Sequence, residues 1–187
     1  MKGFEDKNKK LSVPWDLEFA KFKEIAVGLA YNDKYDQEWD NYNRWQQEDI
    51  QNKGLKCITY QSEVARHKLT FTLFFVNNKL VKAEGSLKEQ HLLNAFFDIY
   101  NEITSREGKP TTMKNFNANN ASEILSQTEE NFNPSLAWHG KDTTIQMEIE
   151  QKFAPTFRLL FFKSGDETKL NEYPRLFNAL ERNHNGL

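Results

Sequence analysis

From Trp15 onward, apolar residues recur at intervals of four, three, four and three: Trp15, Phe19, Phe22, Ala26 and Leu29, with Ile25 beside them. One stripe on a 3.6-residue period predicts a helix over 15–30. Pro14 suits its first turn and Ser12 can cap it. The period then changes. In His67–Val76, Leu69, Phe71, Leu73 and Phe75 alternate with Thr70, Thr72, Phe74 and Val76. That two-residue period predicts a strand, and the apolar Phe74 and Val76 predict cover on both faces at its end. Leu55–Gln61 and Lys79–Glu84 read as its neighbours in a meander, with Asn77-Asn78 as the turn, because Asn tolerates positive φ. Gly85 reads as the close of this unit.

A second helix follows in the pattern. Ser86 and Glu89 have the spacing of a capping box. Leu87, Leu92, Leu93, Phe96, Phe97, Tyr100 and Ile103 supply a broad apolar stripe, and Gly108 with Pro110 stops it. Residues 111–135 are rich in Asn, Thr, Ser and Glu and read as a loop, with a short helix over 121–130. Ala137-Trp138 leads into Lys141–Glu150, where Thr143, Ile145, Met147 and Ile149 alternate with polar residues. Thr156–Phe162 reads as a well-covered strand, and 173–183 as a short closing helix. The strands arrive as hairpins, so the prediction is an α+β fold: an antiparallel, mixed-order sheet of about five strands with helices packed on one face. Residues 1–12 read as a flexible N-terminal segment and 13–187 as a single domain.

One stretch stands apart. Tyr31, Tyr35, Trp39, Tyr42 and Trp45 recur at helical spacing among Asp33, Asp36, Glu38, Asp40, Glu48 and Asp49. Residues 31–54 therefore read as an acidic aromatic insertion. Three accounts compete: a helix with its rings on the sheet, a surface where rings meet a partner, or a disordered insertion. Tyr and Trp give contact area at low entropy cost, which is why interfaces favour them. The candidate protein interface is Tyr31, Tyr35, Asp36, Trp39, Asp40, Tyr42 and Trp45.

Composition narrows the classes. The chain has 187 residues, enough for one domain with a substantial core, and 15 of them are Phe. The 25 basic and 27 acidic residues leave a net charge of -2, without the positive field that nucleic acid requires, so no nucleic-acid partner is expected. No run approaches the ~20 apolar residues of a membrane span. The polar opening has no apolar signal core, which predicts a cytoplasmic protein as the sequence stands. A leader preceding it would instead mean a periplasmic or cell-envelope location, and only then a membrane tether.

Candidate chemistry is sparse. Cys57 has no cysteine partner and reads as a buried thiol. His67, His91, His139 and His184 show no metal-ligand spacing, so no metal is expected; His67 and His139 could still meet near Asp142. Gly108-Lys-Pro-Thr111 lacks the glycine offset of a phosphate loop. Asp33, Asp36 and Asp40 lack the residue order of a calcium loop. Glu148 and Glu150 share one strand face, as paired catalytic carboxylates do, but a solvated sheet face has the same pattern. No catalytic residue and no cofactor is assigned.

Four phrases carry a likeness: Val13-Pro-Trp-Asp-Leu-Glu-Phe-Ala-Lys-Phe22, Phe71-Thr-Leu-Phe-Phe-Val-Asn-Asn-Lys-Leu-Val81, Tyr100-Asn-Glu-Ile-Thr-Ser-Arg-Glu-Gly-Lys-Pro110 and Trp138-His-Gly-Lys-Asp-Thr-Thr-Ile145. Together they resemble the opening helix, central hairpin, helix end and late strand entry of small exported or lipoprotein-type bacterial α/β domains. The likeness covers residues 13–30 and 55–162, lies in architecture rather than in an active site, and departs at 31–54. It implies a fold but no activity. The function expected is a non-catalytic protein-binding or accessory domain, with an inhibitor or immunity protein as a variant whose acidic rings cover a basic target. The alternatives are a small enzyme without a recognisable motif and a small apolar-ligand carrier.

Overall fold

Alternating sequences make a sheet only when every strand finds partners, and among the described residues eight do. In the computed structural model the described residues are 13, 15, 17–21, 31–32, 54–87, 92–116, 133–151 and 155–165. The strands are β1 (Tyr31–Asn32), β2 (Leu55–Val64), β3 (His67–Val76), β4 (Lys79–Leu87), β5 (Thr112–Lys114), β6 (Ser135–His139), β7 (Thr143–Gln151) and β8 (Pro155–Lys163). One helix, α1 (Leu92–Glu107), lies between β4 and β5. The sheet order is β1-β2-β3-β4-β8-β7-β6-β5, antiparallel at every pairing. This is the α+β fold that the alternation predicts. The five expected strands are the long ones, β2, β3, β4, β7 and β8; the short β1, β5 and β6 extend both edges.

Topology explains the helix. The meander β2–β3–β4 ends in the middle of the sheet, and the chain re-enters at its far edge as β5. It must pass β8, β7 and β6, about 19 Å at ~4.8 Å per strand. The 16 residues of α1 span about 24 Å, enough for that crossing. Leu92, Leu93, Ala95, Phe96, Ile99 and Ile103 are buried on its inner side. They meet Leu69, Phe71 and Leu73 of β3, Phe157, Leu159 and Phe161 of β8, and Ile145, Met147 and Ile149 of β7 in one hydrophobic core. Each large side chain removed from water contributes about 1.5–3 kcal/mol.

The N-terminal segment closes the same core. Val13, Trp15 and Phe19 are buried in it, and residues 19–21 are helical. The Trp15 indole N–H donates to Thr143 Oγ1 at 3.0 Å. Phe19 N–H donates to the Asn78 carbonyl at 2.9 Å, and Leu80 N–H to the Leu17 carbonyl at 3.1 Å. The Phe19 ring meets Phe75 edge-on at 5.3 Å. Helical structure therefore packs against one face of the sheet from both sides of the first meander. Residues 1–12, expected to be flexible, the expected continuation of the first helix beyond 21, and the helices expected at 121–130 and 173–183 lie outside the described residues.

The boundary after β4 differs from expectation. Ser86 does not cap a helix: β4 runs through Gly85 and Ser86 to Leu87, paired with both β3 and β8. Gly85 belongs to the strand for a packing reason. A methyl group there would come within 2.9 Å of the Phe71 ring and 3.0 Å of Leu69. Phe71 in turn stacks on Tyr60, with ring centroids 5.6 Å apart, and burial pushes the Tyr60 hydroxyl up to about 12. A register shift near Phe74 and Phe75 leaves Val81 as the extra residue of β4. Leu80 and Ala83 both join the core across that bulge. The end of α1 follows the sequence signal: Gly108 takes φ 83° and its N–H donates to the Thr104 carbonyl at 3.0 Å.

Both hairpin turns of the first meander have two residues with positive φ. Asn77 (49°) and Asn78 (64°) are suited to it; Ala65 (48°) and Arg66 (72°) are not. The left-handed region costs an ordinary residue about 1–2 kcal/mol, partly offset by the entropy that Gly loses on folding. The double variant Ala65→Asn/Arg66→Gly is therefore expected to be more stable by about 1 kcal/mol, a rise of roughly 2–4 °C in Tm. Urea and thermal melts decide it, and an unchanged or lower Tm contradicts the strain.

Candidate functional site

Strand alternation sends every second residue to the face opposite α1. On the central strands this places Lys82, Glu84 and Ser86 of β4, Arg158, Leu160 and Phe162 of β8, and Thr144, Gln146, Glu148 and Glu150 of β7 on one surface. Its middle is not a solvated face: Phe74 and Leu160 are buried, and Glu84 is only 6% exposed.

A buried carboxylate needs partners, and Glu84 has two. Lys82 Nζ lies 2.6 Å from its Oε2. Arg158 Nε donates to its Oε1 at 2.5 Å. Burial would raise the Glu84 carboxyl, but the Lys82 ammonium and the Arg158 guanidinium outweigh it and hold the group at about 2. The Lys82 ammonium also sits over the Phe74 ring, 4.8 Å from its centroid. Arg158 Nη1 reaches outward to Glu150 at 3.4 Å and Glu148 at 3.6 Å. Gln146 donates to Glu148 at 2.8 Å. Glu148 and Glu150 do share a face, as the alternation predicts, with Arg158 between them. The set alternates in sign across β4, β8 and β7 and ties the two central strands together. A carboxylate held near 2 is neither a proton donor nor an effective base at neutral pH.

Two smaller polar groups flank it. At the ends of β6, β7 and β8, Ser164 Oγ donates to the Gly140 carbonyl at 2.9 Å and lies 3.3 Å from Thr144 Oγ1. His139 Nδ1 is 3.4 Å from the same Thr144 oxygen. The serine proton is thus directed at a backbone carbonyl rather than at the imidazole. On the α1 face, His67 Nε2 and Asp98 Oδ2 are 2.9 Å apart, joining β3 to the helix. His67 and His139 are not brought together. They stand four strands apart in the sheet, about 19 Å at ~4.8 Å per strand, and on opposite faces. Among the described residues, no three His, Cys, Asp or Glu side chains converge as a metal site. No described helix is long and apolar enough to cross a membrane.

Of the seven residues assigned to an interface from sequence, Tyr31 lies in β1, in register with Tyr60 of β2. Tyr35, Asp36, Trp39, Asp40, Tyr42 and Trp45 lie outside the described residues. Asp33, His91 and His184 do so as well. Cys57 lies in β2, opposite Phe74. The Lys82–Glu84–Arg158 set went unread in the sequence. Its one local signal is the i, i+2 spacing of Lys82 and Glu84, which alternation puts on the same face.

Set beside protein-family models, curated proteins and solved structures, the chain matches none of them.

Proposed function

We propose that this chain is a non-catalytic binding domain whose partner is another protein. The observation that carries the reading is the position of β1. Tyr31–Asn32 pairs with Tyr60 and Thr59 at the outer edge of the sheet, and the acidic aromatic stretch continues from there to Gly54. The stretch thus connects β1 and β2, the two outermost strands on that side of the sheet. The charged groups at the centre of the sheet are paired with one another: Glu84 with Lys82 and Arg158, and Arg158 with Glu148 and Glu150. Rings would supply the affinity of such an interface, and Asp36 and Asp40 would speed encounter with a basic surface. An inhibitor or immunity protein is one form this function takes.

The double variant Trp39→Ala/Trp45→Ala tests it. Affinity capture with the tagged chain from its source organism, followed by mass spectrometry, identifies a partner, and calorimetry measures it. The expected outcome is a loss of at least 100-fold in affinity, about 2.7 kcal/mol, with far-UV circular dichroism and the melting transition unchanged. Equal binding by both proteins, or a variant that unfolds, refutes the interface.

A further inference from the structure

The two hairpin turns of the first meander set one geometric demand and meet it differently. The register Val64↔His67 leaves two residues to turn the chain, as Val76↔Lys79 does. Both pairs take positive φ. At the second turn the residues are Asn77-Asn78, which suit it. At the first they are Ala65-Arg66, which do not. The fold requires the left-handed backbone there; it does not require an arginine. Strained positions persist where something other than stability holds them, and they gather at recognition sites.

The arginine has no internal task to explain it. Arg106 is tied to Glu102 on α1, and Arg158 to Glu84, Glu148 and Glu150. Arg66 is exposed at the tip, and its guanidinium has no ion-pair partner among the described residues. Beside it, His67 is bonded to Asp98, while Lys68 and Glu63, in register across the hairpin, are both exposed. The tip therefore offers an exposed guanidinium on a two-residue turn that cannot flex far without breaking the strand register.

We infer that the β2–β3 hairpin tip is a second contact point for a protein partner, with Arg66 gripping a carboxylate side chain. A single planar guanidinium suits a carboxylate, which it holds through two parallel hydrogen bonds. A nucleic acid or a membrane surface requires several cations together, and the tip has only Arg66 and Lys68, with the acid Glu63 across from Lys68. The inference rests on the protein-binding reading above but names a different place. Arg66 lies at the opposite end of β2 from Gly54, about 30 Å away for ten residues of strand. Loss at the tip and loss at the aromatic stretch are therefore separable.

The test is selection of random displayed peptides on the immobilised full chain, with the winners resynthesised carrying a fluorophore. Binding is then measured to the wild type, Arg66→Ala, Arg66→Lys and Trp39→Ala/Trp45→Ala. The expected result is a set of peptides enriched in Asp or Glu. Arg66→Ala weakens them at least tenfold and Arg66→Lys at least threefold, while the double tryptophan variant stays within twofold and Arg66→Ala melts no lower than wild type. Three results overturn it: no peptide selected, peptides without carboxylate enrichment, or peptides that bind Arg66→Ala as well as wild type. Peptides lost only on the double tryptophan variant would leave the aromatic interface standing and remove the tip.

Discussion

Replacing Glu84 by Ala is expected to cost about 3–5 kcal/mol of folding stability, because it removes the buried carboxylate that stands between two cations. Lys82 and Arg158 both lean on this one carboxylate, at 2.6 and 2.5 Å, and Glu84 is buried on a central strand. Urea unfolding at neutral pH measures the loss, and a midpoint within experimental error of wild type contradicts it. The pH dependence follows with its sign. The folded carboxyl stands at about 2 against an ordinary 4.5, so the unfolded chain binds the proton more readily. The contribution is complete above about pH 5 and is lost as pH falls toward 2; by linkage it amounts to about 3 kcal/mol. Wild type should therefore lose more stability than Glu84→Gln between pH 5 and 3, the difference between the two curves isolating this group. Replacing the triad together, as Lys82→Met/Glu84→Leu/Arg158→Leu, is expected to be neutral or stabilising, since the desolvation cost leaves with the charges. Glu148 and Glu150 would then turn to water. A triple variant as unstable as Glu84→Ala would mean that the position needs the ion pairs themselves.

How much of this was legible depends on range. Alternation over Leu69–Val76 and Thr143–Glu150 reports a half-buried strand, and both are strands. Asn77-Asn78 and Gly108 act through their own backbone preference, so they too read correctly. Gly85 did not. Locally a glycine followed by Ser-x-x-Glu looks like a strand end and a helix start; the Phe71 ring that needs the space of the missing side chain is fourteen residues earlier in the chain. β5 was hidden because Thr112, Met113 and Lys114 are all exposed, leaving no buried face to imprint a pattern. The β4–β8 pairing joins residues 74 apart, Glu84 and Arg158. Nothing in either segment names the other, so the central ion pairs emerge only with the sheet. Of the interface assigned from sequence, Tyr31 is the residue within the described structure, opposite Tyr60. A row of aromatic and acidic residues states what a surface would be made of, and where the sheet edge lies is a tertiary matter.

The second large effect belongs to Phe96, the ring on which α1 is seated. It is fully buried, and the rings against it include Phe116 at 5.5 Å, Phe97 at 6.0 Å and Phe157 at 6.2 Å between centroids. Phe157 belongs to β8, Phe97 to α1, and Phe116 follows β5. One side chain thus joins the helix to the sheet centre and to the segment that returns from the far edge. Phe96→Ala is expected to cost about 3–5 kcal/mol, the lost transfer of the ring plus the cavity it leaves. The value falls within that range according to how far the neighbours collapse. Phe157 is fixed by a paired strand and cannot follow. Phe116 is not in a strand and also meets Tyr100 at 5.0 Å, so it is the ring able to move inward. Phe116→Ala in the Phe96→Ala background should therefore cost less than Phe116→Ala alone would if Phe96 remained. Phe96→Leu fills most of the space and should lose less than half as much as Phe96→Ala. Urea unfolding of wild type, the two single alanine variants and their double variant gives the coupling directly. Strictly additive losses, or a Phe96→Ala cost below 1 kcal/mol, would mean that α1 is held to the sheet chiefly by Leu92, Ile99 and Ile103.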